Sequence, residues 1–452
     1  MNKFKSLIPQ DLRVYWRLLL SLVYSLINGR PGRKLKIIGV TGTSGKSTTA
    51  NMIYHMLKEC GVSSGVISTN GVIAIDKELE SGLHVTTPDP KDLQKFLKFM
   101  VKKKVDWVVL EVSSHALSQG RVGFTKFDHV VITNIKRDHL DWHGTWENYA
   151  DAKLSITDRL KKGGKIVINR DDKEMFQYAS DYIEKNDRRE DVISYSFSEL
   201  QNIQTTHSGS VFTLVGYTYA LQIIGMYNVE NAMAAINLGH ILGLSSEQIK
   251  EAINSFRGLV GRMEVMKKEP FVTIVDFAHN TDSLKKSLES ARKLVEPGGK
   301  LICIFGSAGL RDVEKRYTMG ETSGALSDIT IITAEDPRIE KLSDINDQIL
   351  EGANRSEAKL IKRFSSHNEY IEYKEGIKPT ARKAVFIFDE ESIQNRYDAI
   401  ELAILNAEQG DVIITEGKGH EQSLCFGTTE YPFTDQDAVK KALQKLPENM
   451  RE

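Results

Sequence analysis

The chain has 452 residues, of which 40% are hydrophobic and 27% charged, and its net charge is -1. That length exceeds one ordinary core, so two or three domains are expected, and a balance near neutrality argues against a general nucleic-acid-binding surface while leaving local basic pockets open. Three cysteines, Cys60, Cys303 and Cys425, are far apart with no CxxC pair, which indicates neither a disulfide framework nor a zinc site and fits a reducing cytoplasm.

Residues 1–35 hold one apolar stretch, Trp16 to Ile27, interrupted by Arg17. Its uninterrupted apolar run of about 10 residues is well short of the roughly 20 that a membrane span needs. No A-x-A-like cleavage site follows, so it does not read as a signal peptide. The plain expectation is a helix packed on the next domain; shallow membrane association through Leu18, Leu19, Leu20, Val23 and Ile27 is the alternative.

At Lys36 to Thr49, KIIGVTGTSGKSTT, an apolar strand runs into a glycine-punctuated loop and then a helix. Such a loop cradles a polyphosphate: Gly42 and Gly45 let the backbone N–H groups of the loop turn inward, with Thr43, Ser44 and Thr48 beside them. Lys46 brings a positive charge to the terminal phosphates, and Ser47 can ligate Mg²⁺. The spacing departs from the general G-x-x-x-x-G-K-[ST] pattern, whose outer glycine would fall at Val40. A purely structural glycine turn would have little use for Lys46 and Ser47.

From Lys36 to about Glu264 strands and helices alternate, which predicts a mostly parallel sheet with its ligand at the C-terminal strand ends. The candidate strands are Ile37 to Val40, Ser64 to Ile67, Trp107 to Val112, His129 to Thr133 and Lys165 to Asn169. Glu111, Ser113, Ser114 and His115 end one strand, and Asn134, Asp138 and His139 end the next. Val211 to Ile224 reads as a hairpin appended to this sheet, followed by helices at Val229 to Leu242 and Ser246 to Phe256. A short charged segment, MEVMKKE, then marks a domain boundary, and a second doubly wound sheet is expected from strands near Phe271, Lys300, Ile329, Ala384 and Asp411. It carries no G-x-G-x-x-G, so a dinucleotide is not suggested. The expected divisions are residues 1–35, 36–264 and 265–452.

The ordered motifs GVTGTSGKSTT, TTPDP, EVSSHALSQGRV, TNIKRDHLDWHGTWENYADAK, GMYNVENAMAA, GRME, VDFAHNTDSL and GKGHEQ resemble those of the Mur ligases, and among them the type that adds the third amino acid to UDP-N-acetylmuramoyl-dipeptide. The resemblance implies an α/β fold with a central P-loop ATPase domain and a C-terminal Rossmann-like domain. It implies an ATP-dependent, cytoplasmic peptide ligase in which an acceptor carboxylate takes the γ-phosphoryl group and an amino acid then displaces phosphate. Enzymes of this type carry an N-terminal uridine-binding domain, whereas about 35 residues precede the loop here, fewer than the roughly 40 that fold alone. The resemblance therefore leaves the acceptor open: not a UDP sugar, held another way, or held with help from a partner protein.

Residue by residue, the resemblance implies that Lys46, Glu111, His139 and Lys153 are catalytic and that Ser47, Glu111, His139 and a carbamate on Lys153 surround Mg²⁺. Without it, Glu111 would read as a loop carboxylate, His139 as a packed imidazole and Lys153 as a solvated helix lysine. Asn134 and Asn231 resemble nucleotide-contacting asparagines, although Asn231 could instead cap a helix. Arg262 and Asp276 resemble the arginine and aspartate that reach the nucleotide from the hinge and second domain. Thr86, Thr87, Ser114 and Arg121 match positions that hold the acceptor peptide, and Arg311, Glu335, Asp336, Arg338, Gly417 and Glu421 match those around the incoming amino acid. Arg338 paired with a distal carboxylate, and acids for ammonium groups, suit meso-diaminopimelate, with lysine the rival. Glu335-Asp336 in place of Asp-Asn, and Leu310 in place of Asp, depart from the family pattern. His84, His115 and His143 are left without a role. Two alternatives remain: a folylpolyglutamate-synthetase-like or other Mur-type ligase with a non-UDP acceptor, and a nucleotide-gated scaffold without turnover.

Overall fold

The computed structural model describes residues 10–75, 77–79, 86–206, 208–373 and 383–450, which form two compact units. The first comprises residues up to 204, 210–222 and 227–257, and the second comprises 205–209, 223–226 and 258 onward.

In the first unit eight strands form one sheet: β1 (Lys36–Thr41), β2 (Ser64–Ser68), β3 (Gly71–Ala74), β4 (Lys77–Leu79), β5 (Trp107–Glu111), β6 (Phe127–Ile132), β7 (Leu160–Asn169) and β8 (Val192–Tyr195). Their order is β4-β3-β2-β5-β1-β6-β7-β8, parallel except where β3 and β4 turn back at one edge. Five of the six β1 residues are buried, as a continuous apolar strand covered on both faces requires. Helix α1 (Gln10–Ile27) belongs to this unit and packs against α3 (Pro90–Lys102). Register places the chemistry. Val40 of β1 pairs with Glu111 of β5 and with Val131 of β6, while Ile67 of β2 pairs with Leu110. The residues that follow β1, β2, β5 and β6 therefore converge at one end of the sheet, above helix α2 (Lys46–Glu59).

The hairpin expected at Val211 to Ile224 is not appended to that sheet. It forms β10 (Gly209–Leu214) and β11 (Tyr217–Leu221) of a separate three-stranded sheet completed by β9 (Gln201–Thr206). Alternation of buried Phe212 and Leu214 with exposed Val211 needs only one covered face, which a small separate sheet provides.

The second unit is a seven-stranded sheet, β12 (Glu264–Lys267), β13 (Val272–Val275), β14 (Leu301–Phe305), β15 (Ile329–Ile332), β16 (Lys359–Phe364), β17 (Ala384–Phe388) and β18 (Val412–Thr415), ordered β12-β13-β18-β14-β15-β17-β16. MEVMKKE, read as a charged boundary segment, supplies β12, the antiparallel edge strand beside β13. An edge strand tolerates such polar residues, which is why its strand character was hidden. A hairpin, β19 (Ser423–Phe426) and β20 (Thr429–Pro432), follows.

Arg396 fixes the C-terminal strand ends of this unit. Its guanidinium, wholly buried, donates to both carboxylate oxygens of the equally buried Asp435 at 2.7 Å and to the carbonyls of Ala334 at 3.2 Å and Glu416 at 2.8 Å. Removing one partner leaves a buried charge uncompensated, so Asp435→Ala is expected to destabilise the unit by about 3–5 kcal/mol. Urea unfolding checks this; a loss below about 1 kcal/mol, the scale of an exposed pair, would contradict it.

Candidate functional site

In the first unit the loop from Gly42 to Ser47 is held by side chains that follow β6. Asn134 accepts from the Ser44 N–H at 3.1 Å, its carbonyl accepts from the Thr43 N–H at 2.8 Å, and the Thr133 hydroxyl donates to the Ser44 carbonyl at 2.7 Å. The Thr43 hydroxyl meets the Tyr149 hydroxyl at 2.9 Å and accepts from the Lys136 N–H at 2.9 Å. Gly45 has φ 80° and lies against Asn231, whose side chain a Cβ there would overlap. Asn231 lies well inside helix Met226–Ile241, so it is not the helix cap considered above; its oxygen accepts from Thr49 at 3.1 Å and its amide donates to Asn228 at 3.0 Å. Thr48, like Ser47, is buried on the first turn of α2. The loop is preorganised, with its amides and the start of α2 offering an anion site.

Lys46 Nζ donates to the carbonyls of Gly42 at 2.9 Å and Thr43 at 2.8 Å. The Ser47 hydroxyl donates to Glu111 Oε1 at 2.9 Å, while Glu111 Oε2 accepts from the Thr69 N–H at 2.8 Å and hydroxyl at 3.0 Å. Ser47 and Glu111 are both buried and form the kind of hard-oxygen pair that suits Mg²⁺. Thr69 was missed in the sequence, since only the pairing of β2 with β5 brings it beside Glu111.

Lys153 is not the solvated lysine that its helix alone suggests. It is 1% exposed, its Nζ donates to the Gly42 carbonyl at 2.6 Å, and it lies 4.6 Å from the centre of the Tyr149 ring. Burial, reinforced by Lys46, pulls its pKa well below the ordinary lysine value, although Asp138 and Glu111 act in the other direction. An amine in that setting is nucleophilic.

His139 has φ 52° and is exposed, with Nε2 4.0 Å from Asp138 Oδ2. It sits in a ring cluster with two of the three histidines left without a role: His115 is 4.7 Å from His139 and 5.6 Å from His143, and His143 Nε2 is 3.2 Å from the Ser114 hydroxyl. Among the described residues no group of three or more His, Cys, Asp or Glu side chains is placed to hold a metal ion. His84 lies outside the described residues.

The acceptor-matching residues surround the same strand ends. Thr87 is fully enclosed; its hydroxyl donates to the Glu111 carbonyl at 3.1 Å and accepts from the Ser113 N–H at 2.9 Å. Arg121 donates to Gln119 Oε1 at 2.9 and 3.2 Å and to the Thr87 carbonyl at 3.0 Å. Burial lowers its pKa, while Asp89, 3.4 Å away, supports the charge. Thr86 is half-buried beside Thr87, and Ser114 is buried at the start of a short helix.

In the second unit, the segments after β13, β15 and β18 bring acids to one end of the sheet. Asp276 accepts from the Met263 N–H at 2.7 Å and the Ala278 N–H at 3.0 Å; burial raises its pKa against the pull of Arg262, which lies 4.3 Å over the Phe277 ring. Asp336 (φ 43°) accepts from Lys418 Nζ and from the Cys425 N–H, each at 2.9 Å, and Glu421 accepts from Lys418 at 2.6 Å. Burial lowers the pKa of Lys418, but Glu421 and Asp336 outweigh it and hold the ammonium above its ordinary value. Lys418 thus neutralises two of the acids expected to meet an ammonium, a role that its place in GKGHEQ gave no reason to assign.

Glu335 differs. It is 6% exposed, its Oε2 has no hydrogen-bond partner among the described atoms, and it lies so close to Gly417 (φ 100°) that a Cβ there would overlap it. Burial pushes its carboxyl up to about 7 against the opposing pull of Lys315, Arg396 and Lys418. Arg338 (φ 55°) is half-buried with Nη1 donating to the Gly309 carbonyl at 2.9 Å, and Arg311 is exposed.

The Mur ligase middle domain family matches residues 40–239, and the Mur ligase glutamate ligase domain family matches residues 261–419. A relative from Clostridium acetobutylicum, UDP-N-acetylmuramoyl-L-alanyl-D-glutamate--2,6-diaminopimelate ligase 1, is 34% identical over 430 residues, covering 92% of this chain and 80% of the relative. Among solved structures, a ligase of the same description is 27% identical with a TM-score of 0.59, covering 91% of this chain and 78% of the other. Folylpolyglutamate synthase of Mycobacterium tuberculosis, complexed with ADP and AMPPCP, has a TM-score of 0.67 at 16% identity over 88% of this chain and 92% of its own, a likeness of fold alone.

Proposed function

The chain belongs to the Mur ligase family, and from that premise we propose that it is an ATP-dependent, ADP-forming peptide ligase that joins 2,6-diaminopimelate to one of the two free carboxylates of UDP-N-acetylmuramoyl-L-alanyl-D-glutamate. The relative that carries this name shares about a third of its residues across most of both chains. Within this chain, the observation that supports the reading most is a rigid glycine loop whose Gly42 carbonyl meets two lysines, Lys46 and the buried Lys153.

Phosphoryl transfer needs positioning and neutralisation of charge more than a nucleophilic side chain. The loop amides and Lys46 would hold the phosphates of ATP, with Asn134 and Asn231 beside them. Ser47 and Glu111, with His139 near a second ion, would hold Mg²⁺, which when bound screens charge on the transferring group. Thr86, Thr87, Ser114 and Arg121 would shape the acceptor seat; since Thr87 and Arg121 already bind the loop itself, their part is to fix its form. A carboxylate oxygen of the acceptor attacks the γ-phosphorus and releases ADP. The donor amine then attacks the acyl carbon and phosphate leaves.

Lys153, whose burial favours the neutral amine, can attack the carbon of CO₂, forming an N–C bond and losing a proton to give a carbamate anion. The remaining N–H keeps its acceptor in the Gly42 carbonyl, and the new anion would lie where Mg²⁺ is expected.

On the donor side, Glu335 has an open oxygen for the incoming ammonium, while Arg338, Arg311, Gly417, Asp336 and Glu421 frame the rest. The donor arrives protonated, and its amine must lose a proton before attack. Glu335 accepts a cation or a proton only when ionised. Because its pKa is raised to about 7, the kcat/KM for the donor is expected to rise with pH through about 7 and level off above. Glu335→Gln cannot ionise, so it should lose about 10- to 100-fold at pH 8, with the gap closing below pH 6. Parallel pH profiles for the two proteins would contradict the role.

The reaction is tested by ADP release across a matrix of acceptors and amino acids, with product masses. The expected result is turnover with the UDP-muramoyl-dipeptide and diaminopimelate. Turnover only with a folate and glutamate would favour the folylpolyglutamate alternative, and nucleotide binding without ADP release for any pair would favour the scaffold.

A further inference from the structure

Helix α1 carries apolar residues on two faces. One face is seated: Ser21 and Ser25 are buried, and Leu18 lies so close to Gly120 and Gly123 that a Cβ at either would overlap it. Steps of three and four residues place Trp16, Leu19, Val23 and Leu26 on another stripe, with Tyr15 and Ile27 at its margins. These side chains are exposed, from 38% at Val23 to 71% at Tyr15. Scattered exposed apolar residues are ordinary; a continuous stripe along an 18-residue helix is not.

Charge selects the occupant. The first 36 residues hold eight lysines and arginines against one acid, Asp11, in a chain whose net charge is -1. Arg30, Arg33, Lys34 and Lys36, just past the end of α1, are all exposed. An apolar stripe with tyrosine and tryptophan at its edge and a basic cluster beside it matches the boundary between the headgroups and acyl chains of an anionic bilayer. No described helix is long and apolar enough to cross a membrane, so such a helix would lie in the surface plane.

We propose that α1 docks this protein on anionic lipid bilayers through Trp16, Leu19, Val23 and Leu26, assisted by the basic residues from Arg30 to Lys36. The consequence reaches the acceptor seat. Arg17 of α1 donates to Gln119 Oε1, the oxygen that also accepts from Arg121, and Arg121 holds the Thr87 carbonyl. Docking would set the acceptor loop close to the bilayer. The inference rests on α1 and its charges and does not depend on which amino acid is joined.

The test is sedimentation of the protein with vesicles of phosphatidylcholine alone and with about 30% phosphatidylglycerol, at low and high salt. At low salt, affinity for the anionic vesicles should exceed that for the neutral ones at least tenfold, with high salt weakening it. Arg33→Gln with Lys34→Gln should cost about 25-fold, from roughly fivefold per surface charge. Leu19→Ser with Val23→Ser should abolish binding, and these exposed positions leave the fold intact by circular dichroism. Equal affinity for both vesicles, or unchanged binding by both double variants, would overturn the proposal. So would a dimer in light scattering that Leu19→Ser with Val23→Ser converts to monomer, because a second copy would then cover the stripe.

Discussion

Lys153→Ala is expected to fold and to lose at least 10³-fold in the rate of ADP release, with partial recovery in added formate or acetate. Lys153 is buried, so its charge is set by its enclosed surroundings and not by bulk water. As an ammonium beside Lys46 it is disfavoured by burial and by like charge; as a carbamate it supplies the anion that a divalent ion near Ser47 and Glu111 calls for. Removing a preoriented electrostatic group from a closed site costs about 3–4 kcal/mol, or 10²- to 10³-fold, and loss of a metal anchor adds to that. Lys153→Arg should be as inactive as alanine, since a guanidinium does not form the carbamate. Stripping CO₂ from the buffer should lower wild-type activity reversibly. If Lys153→Arg retained near-normal turnover, or if CO₂ removal had no effect, the carbamate would be ruled out.

Lys46→Ala is expected to lower kcat by about 10²-fold or more, roughly 3 kcal/mol, with a smaller change in the KM for ATP. Lys46 binds two carbonyls of its own loop, at Gly42 and Thr43, which keeps its ammonium at the loop where the phosphates of ATP are proposed to sit. Charge that develops during phosphoryl transfer strengthens that contact in the transition state, which places the loss in kcat. Because Lys46 also depresses the pKa of Lys153, its removal should raise the pH at which CO₂ reacts with Lys153. The two substitutions should therefore be non-additive. A Lys46→Ala enzyme with near-wild-type ADP production would contradict the role.

Much of this protein was legible in its sequence. The run from Lys36 to Thr49 announced a strand, a phosphate loop and a helix, because glycine spacing, a lysine and a hydroxyl have few other uses together. The alternation of strands and helices foretold two mostly parallel sheets, since apolar runs separated by amphipathic segments have few other ways to bury themselves. The hairpin at Gly209 to Leu221 was legible as a hairpin but not as part of a separate sheet, and β12 was hidden by its charged residues, Glu264 and Lys267. Local patterns report a strand's faces but not its neighbours.

The sequence by itself determined which chemical groups are present and in what order; the tertiary structure decided their state. Lys153 reads locally as one more charged residue on a helix, and only its enclosure beneath the Gly42 carbonyl removes the water that would keep it an ordinary ammonium. Three neighbouring acids, Glu335, Asp336 and Glu421, look equivalent along the chain. Folding gives Lys418 to two of them and leaves Glu335 buried with an open oxygen and a carboxyl near 7. Desolvation and pairing are properties of three-dimensional surroundings, assembled here by strand register from segments dozens of residues apart, and no local pattern encodes them.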